Sequence, residues 1–214
     1  MTLVPSVAAP QPILAEILAA GLARAGDALA AMSGHEVAIV GADVVACGSA
    51  QLIEIAGGPD TTVVAVYIGI TGPLHGHALL ILPLDGAHRL AAILLDGMVE
   101  ARVDGEHGGA TLEFDALELS ALQEVGNVTI SACLNVLGQL FPEPVHPTVP
   151  QAVIEFAGAI LDSVLLDLVA DSDEILAART TFAIDGEAIG GTIVILPDRH
   201  SLELLADASV RYVA

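Results

Sequence analysis

The stretch Gly76-His77-Ala78-Leu79-Leu80-Ile81-Leu82-Pro83 returns later in the chain as Gly190-Gly191-Thr192-Ile193-Val194-Ile195-Leu196-Pro197. Each copy is a glycine, an aliphatic run and a closing proline, which reads as a strand buried on both faces and stopped where proline cannot donate to a ladder. A short helix is expected after each. Further out, Glu124 to Val145 spans the same distance as Glu16 to Val37, and each interval reads as a helix running into a strand. The chain is therefore an internal duplication. Repeat one covers about 12–98, a linker about 99–112 and repeat two about 113–214, all within a single domain of residues 1–214. The linker contains Asp104-Gly105-Glu106-His107-Gly108-Gly109, a polar, glycine-rich run. Neither copy alone can bury both a sheet face and a helix stripe. The fold class expected is α+β, two tandem repeats of a helix plus antiparallel strands sharing one core with pseudo-twofold symmetry.

The remaining elements follow from periodicity. Ile13, Leu14, Ile17, Leu18, Leu22, Ala25, Leu29 and Met32 recur at helical spacing, which predicts a helix over 12–33 ended by Ser33-Gly34. Glu36 to Ala46 is rich in Val and Ile and reads as a strand, followed by a looser stretch ending in Gly57-Gly58-Pro59-Asp60. Thr62 to Thr71 and His77 to Leu82 read as a hairpin, and Asp85 to Asp96 as a helix with Gly97 at its C-cap. Val153, Ala157, Ile160, Leu161, Val164 and Leu168 predict one long helix from Gln151 to Ala170, with Glu155 and Asp162 on the opposite stripe. Strands over 174–184 and 191–196 and a helix over 198–207 complete the second half.

Composition narrows the function classes. Of 214 residues 54% are hydrophobic but only 3% aromatic, so a dense aliphatic core is expected and disorder is excluded. Twenty-seven acidic residues face six arginines and no lysine, a net charge of −21. Such a surface excludes binding to a nucleic-acid backbone. It is also compatible with a high-salt habitat or with the basic-poor composition that a high-GC genome produces. Cys47 and Cys133 are far apart and in apolar surroundings, read as buried free thiols with a cytoplasmic location. The first residues have no basic stretch and no long apolar run, so no signal peptide is expected. Thr61 to Leu84 carries no charge over a length that could span a bilayer, but Thr71-Gly72-Pro73 and His75-Gly76-His77 interrupt it. A buried hairpin, not membrane insertion, is the reading. His75 and His77 have no carboxylate or Cys at ligand spacing, so no metal site is expected.

The polar exception to all this aliphatic sequence is Leu119-Ser120-Ala121-Leu122-Gln123-Glu124-Val125-Gly126-Asn127-Val128. Ser120, Glu124 and Asn127 are spaced i, i+4 and i+7, and so project from nearly one face of a helix while Leu119, Leu122 and Val125 occupy other positions. An acid and a carboxamide one turn apart can grip a partner and orient a water. Pro150 lies further along. The pattern [Asp/Ser]-x-x-x-Glu-x-x-Asn followed at this distance by Pro resembles the signature of the CheC/CheX/FliY chemotaxis phosphatases, and most closely their CheC-like members. A chance match in a chain this long has a probability on the order of one per cent or less. The resemblance extends over the whole chain apart from the first ten residues and the linker.

The resemblance implies dephosphorylation of the aspartyl phosphate of a CheY-like response regulator. Asn127 would orient the attacking water and Glu124 would pair with a lysine of the receiver. Mg2+ is expected on the receiver, and the chain needs no cofactor of its own. Ser120, Gly126 and Pro150 support the motif: Ser120 fills the Asp/Ser position, Gly126 suits either close approach by a partner backbone or internal packing, and Pro150 is expected to start the following helix. Carried back by the duplication, Glu124 falls on Glu16 but Asn127 on Ala19, Ser120 on Pro12 and Pro150 on Ala42. Alanine cannot orient a water, so the first site is expected to be degenerate. An alternative from the binding class is a regulatory adaptor for a CheD-like deamidase, with the expected helix 151–170 as its docking surface. A flagellar-switch component is disfavoured because the extra C-terminal domain of FliY has no counterpart in the sequence.

Overall fold

Thr62–Thr71 and Gly76–Pro83 are buried along most of their length, as a run without charges requires, and pair as an antiparallel hairpin. They lie at the middle of a computed structural model that describes residues 11–95, 112–167 and 175–213. In chain order the elements are α1 (Gln11–Ser33), β1 (Val37–Cys47), α2 (Ser49–Ile55), β2 (Thr62–Thr71), β3 (Gly76–Pro83), α3 (Leu84–Leu94), α4 (Ala116–Gly138), β4 (His146–Pro147), β5 (Gln151–Phe156), α5 (Ala157–Asp167), β6 (Ile175–Ile184), β7 (Glu187–Pro197) and α6 (Arg199–Val213). The linker and Gly97 lie outside the described residues.

All seven strands form one antiparallel sheet in the order β1-β6-β7-β3-β2, with β4 and β5 both on the far side of β2. The two copies of the opening motif, β3 and β7, pair with one another at its centre. Leu79 faces Val194 and Leu80 faces Ile193. Outward from that pair the pattern is the same in both directions: each hairpin (β2–β3, β6–β7) is extended by the first strand of the other half. Exchanging the halves leaves the pairing unchanged. Both first strands also carry one extra residue. Gly41 to Val44 in β1 spans two steps of β6, and Pro147 to Gln151 spans three steps of β2, so the chain bulges at both places.

The sheet is covered on both faces, which explains why its strands read as unbroken apolar runs. One face carries α1, α3, α4 and α6, with Leu22, Leu29, Leu90, Leu122, Ile130 and Leu205 packed on Val64, Val66, Leu80 and Phe182. The other carries the shorter α2 and α5, with Leu52, Ile160 and Leu161 on Val63, Ala65, Leu79 and Val194. At one point α1 and α4 touch backbone to backbone: a Cβ on Gly21 would lie 2.6 Å from Cys133 Cα. No helix among the described residues is long and apolar enough to cross a membrane.

Two expectations fail. The helix expected over Gln151–Ala170 is a strand, β5, that turns directly into α5 at Ala157. β2 has a second edge to fill, and Gln151–Phe156 fills it, with Ala152 and Ile154 packed inward and Val153 and Phe156 left exposed. The helical spacing that begins at Ala157 reaches Val153 by coincidence, four residues earlier. Pro150 therefore starts no helix; it sits in the bulge between β4 and β5. The looser stretch after β1 contains a two-turn helix, α2, ended by Gly57 and Gly58 at φ of +108° and +102°.

Candidate functional site

Helix α4 begins at a fully formed capping box. Asp115 Oδ1 accepts from Leu117 N at 2.8 Å and Glu118 N at 2.9 Å, and Glu118 Oε2 accepts from Asp115 N at 2.8 Å. From this start the helix turns Leu122, Val125, Gly126, Thr129, Ile130 and Cys133 toward the core. Ser120 and Glu124 are exposed and Asn127 is half-buried, so the three residues share the opposite side, as their spacing requires.

The row extends one residue beyond the sequence reading. Ser131 Oγ donates to Asn127 Oδ1 at 3.4 Å, a long bond that ties the carboxamide to the next turn. The signal was available, since 131 continues the series 120, 124, 127. Glu124 has no cation partner among the described residues, which leaves its carboxylate to meet one from outside.

Gly126 belongs to the other side of the helix. A Cβ there would lie 2.5 Å from Val66 Cγ1 and 2.7 Å from Val66 Cβ, so the missing side chain lets α4 lie directly on β2. The approach it permits is that of this chain's own sheet and not of a partner. Val66 pairs with Ala152, two residues after Pro150, which places the motif's proline on the strand edge next to the helix's resting point. At that bulge Gly69 N donates to Thr148 Oγ1 at 2.8 Å and Thr148 N to Gly69 O at 2.9 Å, so Thr148 completes the ladder that the bulge interrupts.

On α1, Glu16 and Ala19 are both exposed. The carboxylate is retained on that face and the amide is not. Ala42 falls within the β1 bulge, matching the place of Pro150 in the other half.

Other candidate chemistry is used internally. Tyr67 Oη lies 2.6 Å from His77 Nδ1, and His75 N donates to Ser201 Oγ at 2.8 Å. Among the described residues no three His, Cys, Asp or Glu side chains gather into a ligand set. Both cysteines are buried and free, and burial pushes the Cys133 thiol up to about 12, so it stays protonated and inert. A groove of about 570 Å³ opens between β5 and α5, lined among others by Tyr67, Gln151, Val153, Ile160 and Val164.

No protein-family model matches the chain. Over 157 residues it is 24% identical to the CheY-P phosphatase CheC of Bacillus subtilis (strain 168), covering 72% of each protein. In fold it is similar to FliY of Thermotoga maritima, with a TM-score of 0.72, 18% identity and 99% of each chain covered. It is also similar to a chain of the CheX–CheY–BeF3–Mg2+ complex from Borrelia burgdorferi, with a TM-score of 0.51, 16% identity, and 86% of this chain and 97% of that one covered. The resemblance to the CheC/CheX/FliY family is thus present in sequence and in fold.

Proposed function

We propose that this chain is a chemotaxis phosphatase that hydrolyses the aspartyl phosphate of a CheY-like receiver at a site on α4. The observation that carries the reading is the joint display of Glu124 and Asn127 on the solvent side of one helix, with Glu124 unpaired among the described residues. Phosphoryl transfer through a loose transition state needs an aligned water and compensated charge more than a strong base. A carboxamide aligns water without repelling phosphate. Asn127 takes that role, steadied through Ser131. A carboxylate beside a phosphate must find a cation, and a lysine of the receiver supplies one to Glu124. The row offers one carboxylate and no ligand set, so Mg2+ in this reading belongs to the receiver. The likeness to the CheY-P phosphatase CheC of Bacillus subtilis and to a chain of a CheX–CheY complex supports the substrate class.

The test is loss of phosphate from a phosphorylated CheY-like receiver. Asn127→Ala should lower the maximal rate by about 100-fold, in keeping with loss of one positioning group, while receiver binding stays within a few-fold. Equal acceleration by wild type and variant would end the assignment. Ala19→Asn should restore little on α1, where Pro12 and Ala42 also depart from the motif.

A second reading rests on the groove between β5 and α5. Exposed Val153, with Ile160 and Val164 across the groove from it, gives that opening an apolar lining, a surface suited to docking a CheD-like deamidase. A pull-down with purified deamidase, compared with Val153→Asp, separates this role from catalysis.

A further inference from the structure

Two titratable side chains are buried where the proposed chemistry does not use them. His88 on α3 and Glu118 on α4 are both 0% exposed, and His88 Nδ1 lies 3.2 Å from Glu118 Oε1. The carboxylate's other oxygen takes the Asp115 backbone N–H, and the His88 ring stacks on Phe114 with centroids 3.8 Å apart and planes within 3°. A helix in the first half of the chain is thereby bonded to the cap of the helix that carries Ser120, Glu124 and Asn127. Stability alone does not call for such a pair, since well-packed apolar residues are as good or better in its place. Hydrogen bonds, unlike apolar contacts, fix direction. They set the rotation and start of α4.

We propose that the His88–Glu118 pair is a positioning device for the receiver-anchoring end of the site, an inference that rests on the function proposed above. Glu124 lies six residues beyond Glu118, about 9 Å along the helix, and Asn127 about 14 Å. Asn127 has its own support, because the adjacent Gly126 rests on Val66. Loosening the pair therefore disturbs Ser120 and Glu124 before it disturbs Asn127. The consequence is weaker anchoring with turnover retained.

The experiment uses the full chain in three forms: wild type, His88→Asn, and the double variant His88→Leu/Glu118→Gln. The double variant breaks the bond between the two helices, while glutamine at 118 still accepts from Asp115 N and so keeps the cap. Asparagine carries an amide nitrogen near the place of Nδ1 and keeps the bond. Amide hydrogen exchange is read over residues 116–124 and 125–137, and dephosphorylation is followed against the concentration of phosphorylated CheY-like receiver. In the double variant, exchange over 116–124 should rise on the order of tenfold, with 125–137 unchanged. The half-saturating receiver concentration should rise on the order of five- to tenfold with the maximal rate within about twofold, and His88→Asn should stay near wild type in both. Unchanged exchange over 116–124 overturns the inference. So does a fall in maximal rate at constant half-saturation, which signals mere loss of folded protein. If wild type does not accelerate dephosphorylation, the proposed function fails and this role with it, and the exchange pattern then separates that failure from failure of the pair to hold the helix.

Discussion

Gly126 leaves α4 no slack over the sheet. Alanine raises helix propensity by about 1 kcal/mol, but its methyl group would sit 2.5 Å from Val66 Cγ1, and overpacking of this kind costs about 1–3 kcal/mol. Gly126→Ala should lower stability by up to about 2 kcal/mol in urea unfolding, and Val66→Ala in the same chain should relieve part of that loss instead of adding its full cost. Additive losses would show that the contact is not the cause. Asp185 offers a test in pH. It sits at φ +49° in the β6–β7 turn, where the bond to His35 Nδ1 (2.6 Å) and then that from Glu36 N (3.0 Å) hold its carboxyl below the ordinary 3.8. A carboxyl whose folded value is depressed contributes stability above its unfolded value and loses it as pH falls through the folded one. The stability difference between wild type and Asp185→Asn should therefore shrink as pH falls below about 4. A difference that persists at about pH 2 would sink the assignment. Of these residues, the outward row was legible because its members have side chains at fixed spacing. Gly126 was not placed, although 122, 126, 129 and 133 share a stripe, because a residue without a side chain gives no sign of which face it serves.

At the scale of elements, the helices with full-length periodicity and the strands with uninterrupted aliphatic runs were readable, and those that depend on a distant neighbour were not. β5 is a strand because β2 has a free edge at 62–67, a fact located some ninety residues away. α2 is too short for periodicity to show itself. The start of α4 falls between. Asp115 and Glu118 are a local capping signal in the sequence, whereas Glu118's second bond, to His88, joins residues thirty positions apart and leaves no local trace. The cap makes its own prediction. Asp115→Ala removes the acceptor for two backbone N–H groups and should cost about 1 kcal/mol, read as a lower urea midpoint at unchanged slope. A neutral result would mean that the Glu118 side chain and the His88 contact hold the helix start without it.

For the whole molecule the decisive quantity is charge. Twenty-seven acidic residues share six arginines, and the ion pairs among the described residues engage two of those arginines, Arg89 and Arg199, each with an acid one turn away on its own helix. Six arginines cannot neutralise twenty-seven carboxylates, and the folded chain confines these at shorter mutual distances than the unfolded one does. Exposed pairs of this kind contribute little, so they do not offset the repulsion. Raising NaCl from about 0.02 to about 0.3 M shortens the screening length from about 20 Å to about 6 Å. Relief of about 2 kcal/mol of self-repulsion would raise Tm on the order of 5 °C. Replacing NaCl by sucrose of equal osmolarity should not reproduce the rise at low salt, because a neutral solute screens nothing. A Tm that is flat or falls over this range would mean that the acidic surface is spread widely enough to be indifferent to its own field. The size of the rise also bears on the proposed encounter: whatever docks at Glu124 must bring enough positive charge locally to overcome a molecule that repels acidic surfaces at long range.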